Sequence, residues 1–264
     1  MSMWKLSQSL GSQWMGKYYD PISAELGLDK ARDILSRNIL WEILEARSDA
    51  VPVDELRFSM ERKVAVIFGA GPSLSSDLTG LSSFLKRRNS VLISADGAVD
   101  ALAERDLGST FLVSDLDSSS ENALKENSET GFVFAHAHGD NMDLVKKIVP
   151  DLGKNTLGTT QVEPRFPILN FGGFTDGDRA CYIAASFRPS TIVLSGMDFG
   201  SVEGEYSVNR YSSISNQRRN IKMAWGKRSL EFLISETTDM KFLNVTKFGE
   251  EIEGARKVNY DYFT

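Results

Sequence analysis

Cysteine and histidine are scarce in this chain, and each scarcity removes a class of chemistry. A single cysteine, Cys181, excludes an internal disulfide framework, and its apolar surroundings suit a buried thiol better than a nucleophile. The only two histidines, His136 and His138, have no third ligand at a characteristic spacing, so they read as hydrogen-bonding or substrate-orienting groups before a transition-metal pair. No apolar run approaches a membrane span, and residues 1–13 lack a basic segment followed by a long apolar one, so a cytoplasmic protein with no membrane partner is expected. The formal net charge of -6 argues against a general nucleic-acid binder while leaving room for a local basic patch around one anionic substrate. Internal repeats and low-complexity segments are absent as well.

What remains is 264 residues, 41% apolar and 25% charged, enough to bury the core of one large domain or of one domain with an appendage. Residues 1–60 carry a helical pattern without strands. Asp29 is placed to cap a helix in which Ala31, Ile34, Leu35, Ile39 and Ile43 recur broadly every 3.6 residues, ending near Ala46. Trp4, Trp14, Tyr18, Tyr19 and Trp41 are expected to pack this region, since no basic residues interleave with them as in a nucleic-acid platform. From 61 to 264, β-rich runs at 64–68, 91–94, 111–113, 131–135, 155–160, 166–171, 191–195 and 242–245 alternate with polar loops and helical stretches. That alternation predicts an α/β fold: a doubly wound, mostly parallel Rossmann-like sheet with an N-terminal helical extension.

Two of these runs end in carboxylates. The run 91–94 stops at Asp96-Gly97, and 111–113 stops at Ser114-Asp115-Leu116-Asp117-Ser118. The stretch between them, 98–107, suits one crossover helix, so both tips belong on the same sheet edge, where open α/β sheets bind ligands. Residues at i and i+2 of an extended segment point to one side, so Asp115 and Asp117 can face one hard cation while Leu116 turns into the core. Magnesium suits such a site, because it keeps several waters and leaves positions to substrate phosphates. The same acids fit equally well in a solvated turn, with residues 118–120 capping the next helix.

The first run leads directly into Gly69-Ala70-Gly71-Pro72-Ser73-Leu74. The glycines permit a tight turn and close approach to a phosphate, and a serine can cap a helix whose N-terminal amides favour an anion. Leu74 replaces the third glycine of the dinucleotide fingerprint, and no Gly-Lys-Ser/Thr follows, so neither fingerprint is complete. Asp96 nevertheless lies where that fold carries its ribose-binding acid, which keeps a dinucleotide reading open. Further along, both histidines neighbour Asp140, placed to cap a helix over 142–149. Thr175 or Asp176 is placed to start a helix after the loop 172–179. Residues 200–215 are polar and expected to form a mobile flap over the site. The helix over 216–235 carries Arg218, Arg219, Lys222, Lys227 and Arg228, ordinarily a solvated face, but well placed for phosphates if the helix start meets the sheet edge.

Taken in order, V-I-F-G-A-G-P-S-L, S-A-D-G-A, V-S-D-L-D-S, H-A-H-G-D-N, G-F-T-D-G-D-R-A and S-G-M-D-F-G resemble the archaeal type of 6-hydroxymethyl-7,8-dihydropterin pyrophosphokinase. The A-D-G and D-x-D-S pair is also similar to the thiamin pyrophosphokinase catalytic domain. The resemblance implies that a diphosphate passes from ATP to the hydroxymethyl group of a reduced pterin, with Mg2+ as cofactor and AMP as leaving group. It implies that Asp115 and Asp117 hold the metal, with Asp96 ligating it directly or through water. Gly69, Ala70, Gly71, Pro72 and Ser73 would hold the nucleotide, and Asp176, Asp178 and Arg179 would join its contacts. Asp140 becomes a further candidate for metal or substrate, and His136, His138 or an aspartate would assist deprotonation of the alcohol. Asp198 is placed to pair with the pterin's N–H groups. Two other classes stay open, a D-x-D glycosyltransferase-like enzyme using a sugar nucleotide and a non-catalytic nucleotide-binding module. A homo-oligomer is compatible with the sequence, which does not fix the oligomeric state.

Overall fold

Runs of Val, Ile, Leu and Phe with turn residues at their ends set the strands of this chain. A computed structural model describes residues 3–47, 56, 60, 62–87, 90–200, 202–207 and 215–264, with side chains from residue 9 onward. The strands are β1 (Val64–Phe68), β2 (Ser90–Ala95), β3 (Phe111–Ser114), β4 (Phe132–Ala137), β5 (Thr156–Thr160), β6 (Thr191–Ser195), β7 (Lys241–Asn244) and β8 (Arg256–Lys257). They form one sheet in the order β5-β4-β3-β2-β1-β6-β7-β8, and every neighbouring pair is parallel. Strands β3, β4 and β5 are buried at every position, as expected where helices cover both faces.

The N-terminal helices are α1 (Met3–Trp14), α2 (Asp20–Leu26), joined to α1 by a π-helical turn (Met15–Tyr19), and α3 (Lys30–Glu45). Between and after the strands come α4 (Leu74–Gly80), α5 (Ser82–Leu85), α6 (Ala98–Ala103), α7 (Glu121–Thr130), α8 (Met142–Ile148), α9 (Asp176–Ser186) and α10 (Asn216–Glu236). Alternate strand residues divide the core. Ile67, Ile93, Val113, Phe134 and Leu194 cluster with Trp14, Ile22 and α9, while Val66, Phe68, Leu92 and Val193 cluster with Leu74, Leu78 and Leu102 on the other face. Trp14 and Tyr19 therefore pack the same core as the sheet, and the Trp14 indole donates to Ser229 Oγ at 3.0 Å. Asp29 caps α3 through the Ala31 and Arg32 amides, and α3 runs beside β5, where Leu40 and Leu44 crowd Gly158 on one face of the sheet.

Two expectations need correction. The apolar run 166–171 is not a strand: it turns at the cis Phe166–Pro167 bond and makes only isolated bridges, Arg165 with Ile168 and Thr159 with Leu169. Proline has no N–H to offer a ladder. Helix α6 stops at Ala103, and Asp106 turns into the left-handed region before β3. Of the expected flap, 201 and 208–214 lie outside the described residues, as does the Trp4 side chain.

From β1 the chain builds outward in both directions, β2 to β5 on one side and β6 to β8 on the other, so the sheet changes direction between β1 and β6. The loops after these two strands are bonded together, Gly69 N–H to Ser195 O at 2.8 Å and Gly71 N–H to Gly196 O at 2.9 Å. Asp77 of α4, fully buried, closes the same seam by accepting from Gly196 N–H at 2.9 Å, Ser195 Oγ at 3.2 Å and Tyr260 Oη at 2.7 Å. Burial raises its carboxyl to about 6 against the pull of those hydrogen bonds. A raised folded value favours the protonated acid in the native state. Its contribution is therefore fully present below the ordinary 3.8 and lost as pH rises through about 6. Between pH 4 and 6.5 the urea midpoint of Asp77→Asn is expected to fall less steeply than that of the parent protein; parallel curves would remove Asp77 from the pH dependence.

Candidate active site

The carboxyl edge of the sheet opens into a cavity of about 1130 Å³, lined by loops from every strand between β5 and β6 in the sheet order. At its centre Asp96, Asp115 and Asp117 each present a carboxylate oxygen, all within 4.8 Å of one another. Asp96 sits in the left-handed region at φ 49, its N–H continuing the ladder to Val113 O at 2.8 Å. Its Oδ1 accepts from Ser114 Oγ at 2.7 Å, Ser119 N–H at 3.1 Å and Ser119 Oγ at 2.9 Å. The D-L-D segment is not extended as expected. Leu116 adopts φ 74 with its N–H on Ser114 Oγ, and this turn, more than strand alternation, brings the two acids together while Leu116 is buried. Ser120 meanwhile caps α7 by accepting from Ala123 N–H, so the capping role and the convergence of acids coexist.

Asn141 holds the tips of β3 and β4 in place. Its buried amide donates to Asp115 O and His136 O, both at 2.7 Å, and accepts from His138 N–H at 3.0 Å. In sequence it reads only as loop or cap, and α8 begins immediately after it. Asp140, expected to cap that helix, lies exposed at the cavity rim, its N–H donating to His138 Nδ1 at 3.3 Å. His138 Nε2 is 3.5 Å from Asp115 Oδ2, and its ring stacks on His136 with centroids 5.9 Å apart.

The three acids do not behave alike. Burial, then Asp115 and Asp96, push Asp117 well above the carboxylate range, and burial with Asp115 pushes Asp96 up. Burial also acts to raise Asp115, but His138 and Lys222 outweigh it and hold that carboxyl low. Three crowded oxygen donors that cannot all ionise alone form a donor set suited to a hard divalent cation, so these residues fit magnesium.

Around this centre the expected residues separate. Gly69, Ala70, Gly71 and Pro72 line the cavity. Ser73 does not: its N–H and Oγ donate to the two oxygens of Asp198, and its Oγ accepts from Lys247 N–H at 2.9 Å and Phe248 N–H at 3.1 Å. It makes no side-chain cap for α4, and Asp198, expected to meet the pterin, has both oxygens bonded to Ser73. Because Gly69, Gly71 and Ser73 spend their amides internally and Pro72 has none, the loop offers a surface to a ligand and little of an amide cradle. Asp178 is likewise occupied. Fully buried at the third position of α9, it accepts from Phe174 N–H at 2.8 Å and from Thr175 N–H and Oγ1 at 2.6 Å, completing a capping box. Asp176 and Arg179 do line the cavity, paired at 2.9 Å.

One helix cation stands apart from the other four. Arg218 donates to Leu26 O at 2.7 Å, Arg219 pairs with Glu203 at 2.7 Å, Lys227 pairs with Glu231 and Glu250, and Arg228 lies over the Trp225 ring. Lys222 lines the cavity, close enough to help hold the Asp115 carboxyl low and to oppose the burial and Asp115 charge that raise Asp176, and has no hydrogen bond or ion pair among the described residues.

Comparison with known proteins agrees with this architecture. A MAf glycosyltransferase from Magnetospirillum magneticum superposes with a TM-score of 0.52 at 16% identity, over 77% of this chain and 34% of that one, a likeness of fold alone. A protein of Methanocaldococcus jannaschii named 6-hydroxymethyl-7,8-dihydropterin pyrophosphokinase is 35% identical over 237 residues, 86% of this chain and 96% of that protein. The protein of the same name from Pyrococcus furiosus is 37% identical over 190 residues, 72% of this chain and 79% of that one. Residues 38–204 match the family described as 6-hydroxymethylpterin diphosphokinase MptE-like, a span holding all three clustered acids. With its parallel sheet, its acids at the tips of β2 and β3 and relatives aligned over most of their length, the chain belongs to the 6-hydroxymethylpterin diphosphokinase MptE-like family.

Proposed function

We propose that this chain transfers a diphosphate from ATP to the hydroxymethyl oxygen of 6-hydroxymethyl-7,8-dihydropterin and releases AMP, with Mg2+ held by Asp96, Asp115 and Asp117. The observation that carries this reading is the convergence of three carboxylates beside a lysine with no hydrogen bond or ion pair among the described residues, in a cavity with room for two substrates. Bound magnesium would neutralise charge on the diphosphate and fix its orientation. Lys222 supplies a second positive charge from the α10 side, and the buried Arg179, anchored by Asp176 and by Phe174 O at 3.0 Å, supplies a third in a fixed orientation. His138 orients Asp115 through Nε2 while its Nδ1 is occupied by the Asp140 amide. The glycine wing at β1 and β6 gives the nucleotide a smooth wall.

Lys222→Met is expected to lower kcat/KM for ATP by about 10- to 100-fold, with little change in melting temperature because no hydrogen bond or ion pair among the described residues is lost. An equal loss of stability would reassign the lysine to structure. The reading as a whole is tested by supplying ATP, magnesium and the reduced hydroxymethylpterin, then separating nucleotides and pterins. AMP and diphosphorylated pterin in equal amounts are expected. ADP in place of AMP, or consumption of a sugar nucleotide while ATP is untouched, would overturn it.

A further inference from the structure

Two buried polar groups on the β4–β5 side of the cavity have no part in the metal centre. His136 is 1% exposed, and its Nε2 has no hydrogen-bond partner among the described residues, although a buried N–H or lone pair left unmade is costly. Its Nδ1 lies 3.0 Å from Thr159 Oγ1. The Thr159 hydroxyl also reaches Ala135 O at 3.4 Å, so it either donates to Nδ1 or accepts from an Nδ1–H while donating to Ala135 O. Burial, with Arg179 nearby, keeps the ring neutral, and the tautomer in which Thr159 donates to Nδ1 carries its proton on Nε2, facing Gln161. Beside it stands Gln161, 5% exposed and also lining the cavity. The Gln161 amide nitrogen donates to Asp33 Oδ2 at 2.8 Å. Asp33 is a buried acid of α3 that also accepts from Tyr19 Oη and Gly139 N–H, both at 2.6 Å. A carboxylate with three donors fixes which way the amide faces and turns Gln161 Oε1 towards His136, on which it acts as an acceptor without the geometry that would satisfy Nε2.

We propose that His136 Nε2–H and Gln161 Oε1 form the donor–acceptor pair that recognises the lactam edge of the pterin, its ring C=O and adjacent N–H. This assignment rests on the pterin reading above. An adenine edge also carries one donor and one acceptor, but distance to the metal centre separates the two. His136 stacks on His138, which touches Asp115 at 3.5 Å, so the pair lies about one ring away from the acids. A pterin is joined to the attacking oxygen by a single methylene and fits that span. Adenine is separated from the β-phosphorus by a ribose and the α-phosphate, and belongs in the longer wing towards β6. Asp33 is a positioning residue for this pair, which gives the N-terminal helices a part in choosing the acceptor.

The test titrates the oxidised, air-stable 6-hydroxymethylpterin, and ATP with magnesium separately, into the full-length protein and its Gln161→Met and His136→Phe variants. Each variant is expected to bind the pterin about 10- to 100-fold more weakly, with ATP affinity within twofold of the parent. A second ligand, the 4-amino analogue, exchanges the donor and acceptor of the lactam edge. The parent protein is expected to reject it by a similar factor, and Gln161→Met to lose most of that discrimination, which a merely structural role would not alter. Unchanged pterin affinity in both folded variants, or the same discrimination in parent and variant, would overturn the subsite while leaving the reaction standing. Failure of the parent to bind or turn over any hydroxymethylpterin would overturn both.

Discussion

Asp115→Asn and Asp117→Asn are each expected to lower magnesium-dependent turnover by about 1000-fold while leaving the fold intact. Each exchange removes one of three oxygen donors gathered within 4.8 Å. For Asp117, which burial, Asp115 and Asp96 hold protonated, a neutral amide replaces a neutral acid, so the metal-free melting temperature of Asp117→Asn is expected to equal or exceed that of the parent. A second consequence carries its sign from the same source. Because Asp117 is held protonated above the usual carboxylate range, binding a divalent cation at neutral pH must displace that proton, and apparent affinity must rise with pH. Calorimetric titration of magnesium in two buffers of different ionisation enthalpy reads the proton directly. Identical heats in both buffers, or near-normal magnesium dependence in both variants, would take these acids out of the metal site.

Gly71→Val is expected to unfold or severely destabilise the protein, by about 3 kcal/mol or more. From the sequence, the glycine reads as making room for a phosphate, and a valine there as a binding defect in a stable protein. The structure gives the space to the protein itself: a Cβ on Gly71 would meet Asp198 Oδ2 at 2.3 Å and Gly196 O at 2.5 Å. Both contacts belong to the β1–β6 seam, where the neighbouring amides are already bonded. Chemical denaturation followed by ligand titration separates the alternatives. A variant of parental stability that has lost only ATP affinity would restore the phosphate explanation.

The strand, loop and helix repeats were legible because strands covered on both faces are apolar along most of their length, as in V-A-V-I-F of β1 and F-V-F-A of β4. The run 166–171 carries the same signal and misleads, since Ile168, Leu169 and Phe171 are apolar for burial, Phe166 is exposed, and only Leu169 bridges to β5. The acids at the tips of β2 and β3 were legible for a similar local reason: a carboxylate that stops an apolar strand has few structural uses. The order of strands was not legible, and with it the seam between β1 and β6. Asp176 and Asp178 look equivalent in D-G-D, yet two residues of helix turn one towards the cavity and the other back onto Thr175. Asn141, Asp33 and Gln161 could not be assigned from sequence because their roles depend on partners far along the chain, Asp33 and Gln161 lying 128 positions apart.

The sheet order has a consequence for how the protein is made. Synthesis delivers β1 to β5 first, and these strands already form an unbroken half-sheet with the carboxylate cluster at its tips. The opposite wall, residues 196–200 and 202–204, and the lysine of α10 emerge only afterwards. A nascent chain released from the ribosome at about residue 187 would carry the acids on an open ledge, with β1 exposed as a sheet edge where β6 should dock. Completion of the last third of the polypeptide therefore does two jobs at once, sealing an adhesive strand and enclosing the reaction chamber.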